Sequence, residues 1–262
     1  MKTIFVMSDP HGHYTILKET LFQGGYDEHN PDHLLIICGD MFDRGEESLE
    51  MFKYLYRLNK EGKAIILKGN HEPMLESFLK NNNDPFNYVN NGLKNTLGDL
   101  MHCTAPFESF CLIDEETPMS VETFYKWAPI ARKQINEEYP ELLPWLESLP
   151  YYYETKNYIF THGMIDGICE DWHHPKKDLY GKYLDWDACT WARPEDFKNS
   201  IVNTDKTVVV GHIHCGLLRS LYGEDENDNS IFVRPDDKKV IGIDTCTIRT
   251  KKINLLIIED EL

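Results

Sequence analysis

The stretch GDMFDRG (residues 39–45) follows directly on the apolar run LLIIC (residues 34–38). A short apolar run rich in branched side chains predicts a buried strand of a parallel sheet. The two aspartates and two glycines that come next predict a tight polar turn at the carboxyl end of that strand. In sheets with crossover connections, ligands bind at the carboxyl ends of the strands, so this turn marks a candidate site.

The same pattern, an apolar run followed by a polar cluster, recurs along the chain. The other clusters are SDPHG (8–12), GNHE (69–72), HG (162–163) and GHIH (211–214). Each contains Asp, His or Asn, whose side chains bind hard or borderline cations. Because every cluster follows a predicted strand, we expect all of them to converge on one edge of the fold.

The order of the predicted elements indicates an α/β protein with a parallel sheet. Apolar runs and stretches of helical spacing alternate at residues 3–7, 13–22, 34–38, 46–59 and 64–67. Residues 73–150 are different, because Leu, Phe, Glu and Lys recur there at helical spacing and prolines interrupt them. We therefore predict a single domain over residues 1–262, with a helical cap or insertion at about 73–150 that has a small core of its own.

The aromatic residues of this insertion leave two interpretations open. They recur among Leu and Met at helical spacing, which favours a place in the core, but they could also stack on a base of the substrate. They are Phe86, Tyr88, Phe107, Phe110, Phe124, Tyr125 and Trp127.

Composition excludes several classes of function. The 27 Lys and Arg against 44 Asp and Glu leave a formal net charge of −17, and such a surface repels nucleic acid. No apolar run reaches the roughly 18 residues of a membrane span, and no signal peptide fits the strand-like start at residue 3. The seven scattered cysteines lack a CxxC pair, which indicates reduced thiols and a cytoplasmic protein.

The spacing of the polar side chains suits two neighbouring metal ions. Asp9 and His11 are two residues apart at a predicted strand end, so both side chains can point toward one ion. The two oxygens of the Asp40 carboxylate can bridge two ions at roughly 3.5 to 4 Å. Two such cations polarise a water into hydroxide near neutral pH, the nucleophile that hydrolyses a phosphate ester. Further ligands come from Asn70, His162, His212 and His214.

These blocks resemble a known family. GDMFDRG, GNHE and SDPHG are similar to the signature blocks of the PPP-type phosphoprotein phosphatases, within the calcineurin-like metallophosphoesterase superfamily. The resemblance runs from Asp9 to about Asp244 and skips most of the helical insertion. It implies a four-layer αββα sandwich of two mixed sheets, with a dimetal site at one edge. By position, it implies a first metal on Asp9, His11 and Asp40, and a second on Asp40, Asn70, His162 and His212.

The resemblance also implies roles in the chemistry. His71 matches the general acid of the family, and Asp43 matches the carboxylate that orients it. An imidazole held by a carboxylate is favoured in its charged form, so it can protonate a departing alkoxide. Arg44 and Arg193 match the pair that grips the substrate phosphate, and we place Asn70 beside them. For Arg193 a surface salt bridge is the alternative.

The last histidine block departs from the PPP pattern. PPP-type enzymes resemble one another in ending this block as GHT, whereas this chain has GHIH at residues 211–214. A second histidine there is similar to the broader superfamily, in which it joins the first metal. We therefore expect His214 to be a metal ligand. The alternative is that His214 contacts and orients a ligand without binding the metal itself.

These observations predict a metal-dependent phosphatase for phosphomonoesters that resembles the bacterial PPP-type serine/threonine protein phosphatases. Its substrate would be a phosphorylated protein or a small phosphate ester. We expect two divalent ions as cofactors, manganese first and iron, zinc or cobalt as alternatives. The rival functions are symmetrical hydrolysis of a dinucleoside tetraphosphate and a non-catalytic metal-binding scaffold. Neither nucleic acid nor a membrane is an expected partner, and the oligomeric state stays open.

Overall fold

Two mixed sheets carry the fold of this computed structural model, which describes residues 1–82, 84–102, 121–165, 172–173, 186–200, 202 and 204–262. The first sheet has the strand order β3-β2-β1-β9, and the second has the order β4-β5-β6-β8-β7. The strands are β1 (Lys2–Met7), β2 (His33–Cys38), β3 (Ala64–Leu67), β4 (Tyr152–Glu154), β5 (Tyr158–Thr161), β6 (Thr207–Val210), β7 (Phe232–Val233), β8 (Val240–Gly242) and β9 (Leu256–Asp260).

Strand directions place the polar clusters at one edge of the fold. In the first sheet β1, β2 and β3 are parallel, with Phe5 opposite Leu35 and Ile37 opposite Ile66, and β9 is antiparallel to β1. In the second sheet β5, β6 and β8 are parallel, while the outer strands β4 and β7 are antiparallel to their neighbours. The carboxyl ends of parallel strands lie on the same side of a sheet, so their loops meet there.

The side chains of the first sheet alternate between two apolar layers, one on each face of the sheet. Ile4 and Val6 of β1 lie in a layer between the sheets, which Phe160 and Val209 reach from the other side. The intervening Phe5 faces the opposite way and packs with the helices over the first sheet. Side chains of a strand alternate between its two faces, and both faces of this sheet are buried. The sequences of its strands are therefore continuously apolar. The predicted four-layer αββα sandwich of two mixed sheets is confirmed.

Helices cover the outer faces of both sheets. In α2 the side chains of Leu49, Phe52 and Leu55 are buried, and their spacing of three residues gives the helix one apolar face. The helices are α1 (Tyr14–Gln23), α2 (Ser48–Lys60), α3 (His71–Leu79), α4 (Pro85–Asn90), α5 (Leu93–Leu100), α6 (Val121–Glu138), α7 (Leu142–Ser148), α8 (Trp186–Thr190), α9 (Pro194–Asn199), α10 (Cys215–Ser220) and α11 (Thr247–Thr250).

Helices α3 to α7 occupy the region of the predicted insertion, and α5 and α7 contact α2 directly. The ring of Trp145 lies 5.5 Å from Phe52 and 5.7 Å from Tyr56, and its indole N–H donates to Asn59 Oδ1 at 2.9 Å. Buried apolar side chains of all five helices, among them Phe78, Tyr88 and Trp127, belong to the same cluster as Phe5 of the first sheet. The prediction of a separate small core is therefore wrong, because these side chains and those of α2 form one continuous apolar cluster.

The aromatic residues of that region divide between core and surface. Tyr88, Phe124 and Trp127 are buried and contact one another. Phe86 is 63% exposed and Tyr125 is 48% exposed. Phe107 and Phe110 lie outside the described residues.

The described part of the chain contains four cysteines, Cys38, Cys189, Cys215 and Cys246, of which Cys38, Cys215 and Cys246 are buried thiols. The remaining three cysteines lie outside the described residues. No helix among the described residues has both the length and the apolar character needed to cross a bilayer.

Candidate metal centre

A cavity of about 130 Å³ opens where the loops after β1, β2, β3, β6 and β8 meet. Most of the residues predicted as metal ligands contribute to its wall. The lining residues are Asp9, His11, Asp40, Arg44, Asn70, His71, Asn91, Trp191, His212, His214, Asp244, Cys246, Thr247 and Ile248.

Unusual backbone conformations turn the side chains into this cavity. Asp9, His11, Asp40 and His212 have φ values of 52°, 41°, 53° and 64°. Residues with a Cβ rarely adopt this left-handed region, and each instance costs of order 1–3 kcal/mol. The concentration of such residues at the ends of three strands indicates that the site geometry, and not the local turn preference, determines the backbone there.

Close approach of the loops requires glycine at two positions. A Cβ on Gly69 would lie 2.1 Å from Asp40 Oδ1, and a Cβ on Gly211 would lie 2.4 Å from Asp9 Oδ2. Only a residue without a side chain lets these carboxylates come so near to the backbone of the neighbouring loop.

Asp40 lies at the centre of the site, and its two oxygens face different groups of histidines. Its Oδ2 is 3.7 Å from Nε2 of both His11 and His71, and its Oδ1 is 3.4 Å from Nε2 of His162. Burial by itself would raise the pKa of Asp40, but electrostatic attraction from the surrounding imidazoles, His162 foremost, holds that pKa well below its usual range. The carboxylate is therefore ionised and available to cations on two sides.

Two groups of side chains around Asp40 could each hold a cation. In the first group, ligand atoms of His11, Asp40 and His71 lie within 4.8 Å of one another. In the second group, the same holds for Asp40, His162 and His212. Imidazole and carboxylate together suit divalent transition metals.

The buried histidines of these groups are held in the tautomer that a metal ligand needs. Nδ1 of His11 donates to the carbonyl oxygen of Phe42 at 2.8 Å, and Nδ1 of His162 donates to that of Cys38 at 2.9 Å. A carbonyl oxygen can only accept, so in the neutral form of each ring Nδ1 carries the proton and Nε2, which faces the site, carries the lone pair. Burial and the charge of His71 lower the pKa of His11, which keeps its ring neutral.

Asn70 and His212 complete the second group. Oδ1 of Asn70 is 3.0 Å from Nε2 of His162, and Nδ1 of His212 is 3.2 Å from the same nitrogen. Burial, followed by the charge of His162, lowers the pKa of His212 to about 3. Ligand atoms of Asn70, His162 and His212 thus converge beside the ionised Asp40.

His71 differs from the other histidines because its partner is a carboxylate. Its Nδ1 donates to Oδ2 of Asp43 at 2.6 Å, and both side chains are buried. Burial opposes protonation, but Asp40 and Asp43 together raise the pKa of His71. The structure thus brings His71 and Asp43 into the contact that the sequence predicted.

Thr96, which the sequence reasoning missed, holds Asp43 in place. Its hydroxyl donates to Oδ1 of Asp43 at 2.7 Å and accepts from the backbone N–H of Asp43 at 2.8 Å. Thr96 lies on α5, 53 residues along the chain from Asp43. No local pattern in the sequence links the two positions.

Arg44 contacts both histidines of the first group, His11 and His71. Its Nη1 donates to Nε2 of His11 at 3.0 Å, and its Nη2 lies 3.1 Å from Nε2 of His71. Its backbone is fixed to the loop before α5, because its carbonyl accepts from Asn95 and its N–H donates to the carbonyl of Gly92. The guanidinium therefore lies in the cavity wall, within reach of an anion that enters the site.

Glu72 is a second residue that the sequence reasoning did not assign. Its buried carboxylate accepts from the backbone N–H groups of Gly69, Met41 and Asp40 at 2.6, 2.8 and 3.1 Å. These bonds tie the loop after β2 to the loop after β3. The acid three residues after Gly69 in GNHE was the available signal for this role.

Asp244 is a third such residue, and it lies beside Asp9. Both carboxyls are buried in the cavity wall, and burial, followed by their mutual repulsion, raises the pKa of Asp9. Oδ2 of Asp9 accepts from the backbone N–H of His212 at 3.1 Å. Asp244 directly follows the apolar run 240–243, which is the same signal that identified Asp9 and Asp40.

His214 and Arg193 lie at the periphery of the site. His214 lines the cavity, and its Nε2 is 3.9 Å from Oδ2 of Asp244. Arg193 is exposed at the start of α9, is not among the described residues that line the cavity, and donates its backbone N–H to Asp196 at 2.7 Å. From the motif that contains Arg193, Trp191 is the side chain in the cavity wall.

Comparison with known sequences agrees with this geometry. The calcineurin-like phosphoesterase family model matches residues 2–216. An asymmetrical bis(5'-nucleosyl)-tetraphosphatase from Oceanobacillus iheyensis is 34% identical over 85 residues, which are 30% of this chain and 34% of that protein. Serine/threonine-protein phosphatase 2 of Salmonella typhimurium is 28% identical over 195 residues, which are 72% of this chain and 67% of that protein. The chain thus spans about a third of the tetraphosphatase relative.

Comparison with solved structures supports the fold. A cold-active protein-tyrosine phosphatase of a psychrophilic Shewanella species superposes with a TM-score of 0.55 at 19% identity. The superposition covers 99% of this chain and 76% of that one. At this identity the likeness shows a shared fold and nothing finer.

Proposed function

Because the chain belongs to the calcineurin-like phosphoesterase family, we propose that it is a phosphatase that hydrolyses phosphate monoesters with two divalent metal ions. The observation that carries this proposal is the position of Asp40, whose two oxygens face two separate groups of histidines. A carboxylate in that position suits a bridge between two cations.

The donor atoms of the site fit such ions. The Nε2 lone pairs of His11 and His162 face Asp40, since both rings donate Nδ1–H to backbone carbonyls. When bound, the two ions would supply an activated water as nucleophile and would offset the charge of the phosphate oxygens. We assign the first ion to Asp9, His11, Asp40 and His214, and the second to Asp40, Asn70, His162 and His212.

His71 is the proposed general acid, although it lies as near to Asp40 as His11 does. The partners of Nδ1 distinguish the two rings. His11 donates to a neutral carbonyl and has a lowered pKa, whereas His71 donates to the Asp43 carboxylate and has a raised pKa. A raised pKa keeps a proton on His71 for the departing alkoxide.

Arg44 is the proposed phosphate-binding residue of the cavity. Its two terminal nitrogens form a planar fork that can pair with two phosphate oxygens. Asn70 and Arg193 are also proposed to bind the substrate phosphate. Arg193 would have to swing from its exposed position at the start of α9 to reach a phosphate in the cavity.

As substrate we propose a protein phosphorylated on serine or threonine. The relative that covers 72% of this chain carries the name of a serine/threonine-protein phosphatase. The tetraphosphatase relative supports the rival function, but over 30% of this chain only. A dinucleoside tetraphosphate would also bring several negative charges to a chain with a net charge of −17.

A competition of substrates tests the proposal. The protein is loaded with manganese, and in parallel with iron, zinc and cobalt. Values of kcat/KM are then measured for a phosphoserine peptide, a phosphothreonine peptide and diadenosine tetraphosphate. We expect the peptides to have the higher kcat/KM and manganese to support turnover. A tenfold preference for the dinucleotide, about 1.4 kcal/mol in transition-state binding, would replace the phosphatase with a tetraphosphate hydrolase. Absence of turnover with every metal and every ester would leave the scaffold function.

A further inference from the structure

Two exposed basic residues belong to α11, a helix that borders the catalytic cavity. Thr247 and Ile248 of this helix line the cavity, Arg249 is the next residue, and Lys251 caps the end of the helix. Among the residues that the structure describes, no carboxylate forms an ion pair with either Arg249 or Lys251. A chain with a formal net charge of −17 has many carboxylates to pair with, so unpaired cations beside the cavity indicate a place for an external anion.

Lys251 spans the space between α11 and the loop that follows β1. Its backbone N–H donates to the carbonyl of Thr247 at 2.9 Å, and its Nζ donates to Nε2 of His13 at 3.2 Å. Nδ1 of His13 donates to the carbonyl of Pro10 at 3.1 Å, so Nε2 is the acceptor nitrogen of that ring. An ammonium has three N–H groups, and the part of the chain that the structure describes uses one of them. The others can donate to an anion.

Arg249 acts on the cavity from the same helix. Its backbone N–H donates to the carbonyl of Cys246 at 2.9 Å, and Cys246 lines the cavity. Burial, followed by the charge of Asp244, raises the pKa of the Cys246 thiol, and the positive charges of Arg249 and Arg44 oppose that rise. Arg249 therefore adds positive potential to the same cavity wall as Arg44, the proposed phosphate-binding residue.

The acidic residue at the N-cap of α2 does not neutralise these cations. The backbone N–H of Glu47 donates to the carbonyl of Gly12 at 2.9 Å, so Glu47 lies beside the loop that carries His13. Its carboxylate accepts from the backbone N–H and the hydroxyl of Thr15 instead. The loop next to Lys251 thus contains a carboxylate that already has other partners.

We propose that Arg249 and Lys251, together the basic rim, bind a carboxylate of the substrate that lies a few residues from the phosphoserine or phosphothreonine. The protein would then prefer acidic phosphopeptides. This inference deepens the proposed function and rests on it. Arg44 would hold the phosphate while the basic rim holds the second anion. Exposed ion pairs are individually weak, so each cation gives a modest preference that is strongest at low ionic strength.

The net charge of the chain predicts the opposite preference. A chain at −17 repels an acidic peptide at long range, so its overall field would favour a neutral or basic phosphopeptide. Only cations close to the cavity can reverse that order. The remaining phosphates of a dinucleoside tetraphosphate carry the same kind of charge as a carboxylate, and a parallel measurement on the dinucleotide separates the two ligands.

The test compares three phosphoserine peptides of equal length. One has two glutamates before the phosphoserine, one has two glutamates after it, and one has glutamines at all of these places. Values of kcat/KM are measured for the manganese-loaded wild-type protein, Arg249→Gln, Lys251→Gln and the double variant, at low and at high salt. Diadenosine tetraphosphate is measured in parallel. Calorimetry with the same peptides, in which a phosphonate replaces the phosphate ester, gives affinities without turnover.

Lys238→Gln is the matched control for Lys251→Gln. Lys238 is also exposed, and its φ of 59° is left-handed like the 52° of Lys251. Because glutamine keeps the Cβ at both positions, the two substitutions change the backbone strain equally little. Lys238 does not line the cavity.

We expect at least one acidic peptide to exceed the glutamine peptide in kcat/KM and in affinity at low salt. Each single variant should lower this acidic-to-neutral ratio about threefold, or about 0.7 kcal/mol, and the double variant should lower it about tenfold. Lys238→Gln should leave the ratio within about twofold. High salt should reduce the ratio of the wild-type protein, because it screens exposed charges.

An acidic-to-neutral ratio that is unchanged in the double variant would overturn the basic rim, and so would equal losses on acidic and neutral peptides. Losses confined to diadenosine tetraphosphate would also overturn it, because the cations would then serve a polyphosphate. Absence of turnover on every phosphopeptide in the wild-type protein would instead contradict the proposed function. In that case the phosphonate affinities still decide whether the basic rim binds acidic peptides.

Discussion

Replacement of Asp43 by Asn should invert the tautomer of His71 without changing the size of the side chain. The hydroxyl of Thr96 already accepts from the backbone N–H of residue 43 and therefore donates to Oδ1. An asparagine at this position would keep its oxygen toward Thr96 and turn its NH₂ group toward His71. Since two donors cannot face each other, Nδ1 of His71 would have to lose its proton and accept.

The expected loss follows from what this proton does. With Nδ1 as acceptor, the remaining proton of the neutral ring lies on Nε2, and of the two carboxylates that stabilise the charged form only Asp40 remains. Loss of a positioned general acid costs about 10²-fold to 10⁴-fold in rate, or about 2.7 to 5.5 kcal/mol. The hydrogen bond of 2.6 Å between two buried groups favours the upper part of that range.

The assay uses two substrates and a pH series. Values of kcat/KM for a phosphoserine peptide should fall at least tenfold more than those for 4-nitrophenyl phosphate, whose leaving group needs little protonation. Asp43 raises the pKa of His71, so its loss lowers that pKa, and the decline of rate at high pH should begin at a lower pH. Asp99→Asn is the matched control, because the Asp99 side chain on α5, the helix that carries Thr96, accepts the backbone N–H of Leu49 at 2.7 Å and does not line the cavity. Equal losses on both substrates, or an unchanged pH profile, would refute the role of His71 as acid.

Three further predictions concern the framework of the site. Asp40→Ala should remove at least one of two divalent ions per chain, as measured by elemental analysis after dialysis, and full retention of both would contradict the bridge. Gly211→Ala should weaken metal binding and lower stability by about 1–3 kcal/mol, because its methyl would press on Asp9. Gly223→Ala, whose methyl meets no atom, should leave metal affinity unchanged. Burial, followed by the charge of Asp40, raises the pKa of Glu72 to about 7. Between about pH 4.5 and pH 7, the folded, metal-free protein therefore keeps a proton on Glu72 that the unfolded chain releases. Its stability to urea should therefore fall as pH rises from about 4.5 to 7, and Glu72→Gln should flatten that slope.

Local sequence patterns identified five of the strands and the polar residues at their carboxyl ends. Apolar runs of four to six residues formed β1, β2, β3, β5 and β6, because a strand buried on both faces reads as a continuous apolar run. The turns that follow brought Asp9, His11, Asp40, Asn70, His71, His212 and His214 to one cavity, since parallel strands share their carboxyl edge. Both signals are local, so they can be read from a short window of sequence.

The side chains that support that site were identified only from long-range contacts in the folded protein. Thr96 meets Asp43 across 53 residues, and the apolar side chains of α3 to α7 join the core of the first sheet. Trp191 lines the cavity, while Arg193, two residues further along the chain, lies outside it. These contacts depend on how helices and loops pack against one another at long range. Packing is a property of shape and distance in three dimensions, and residue spacing along the chain does not encode it.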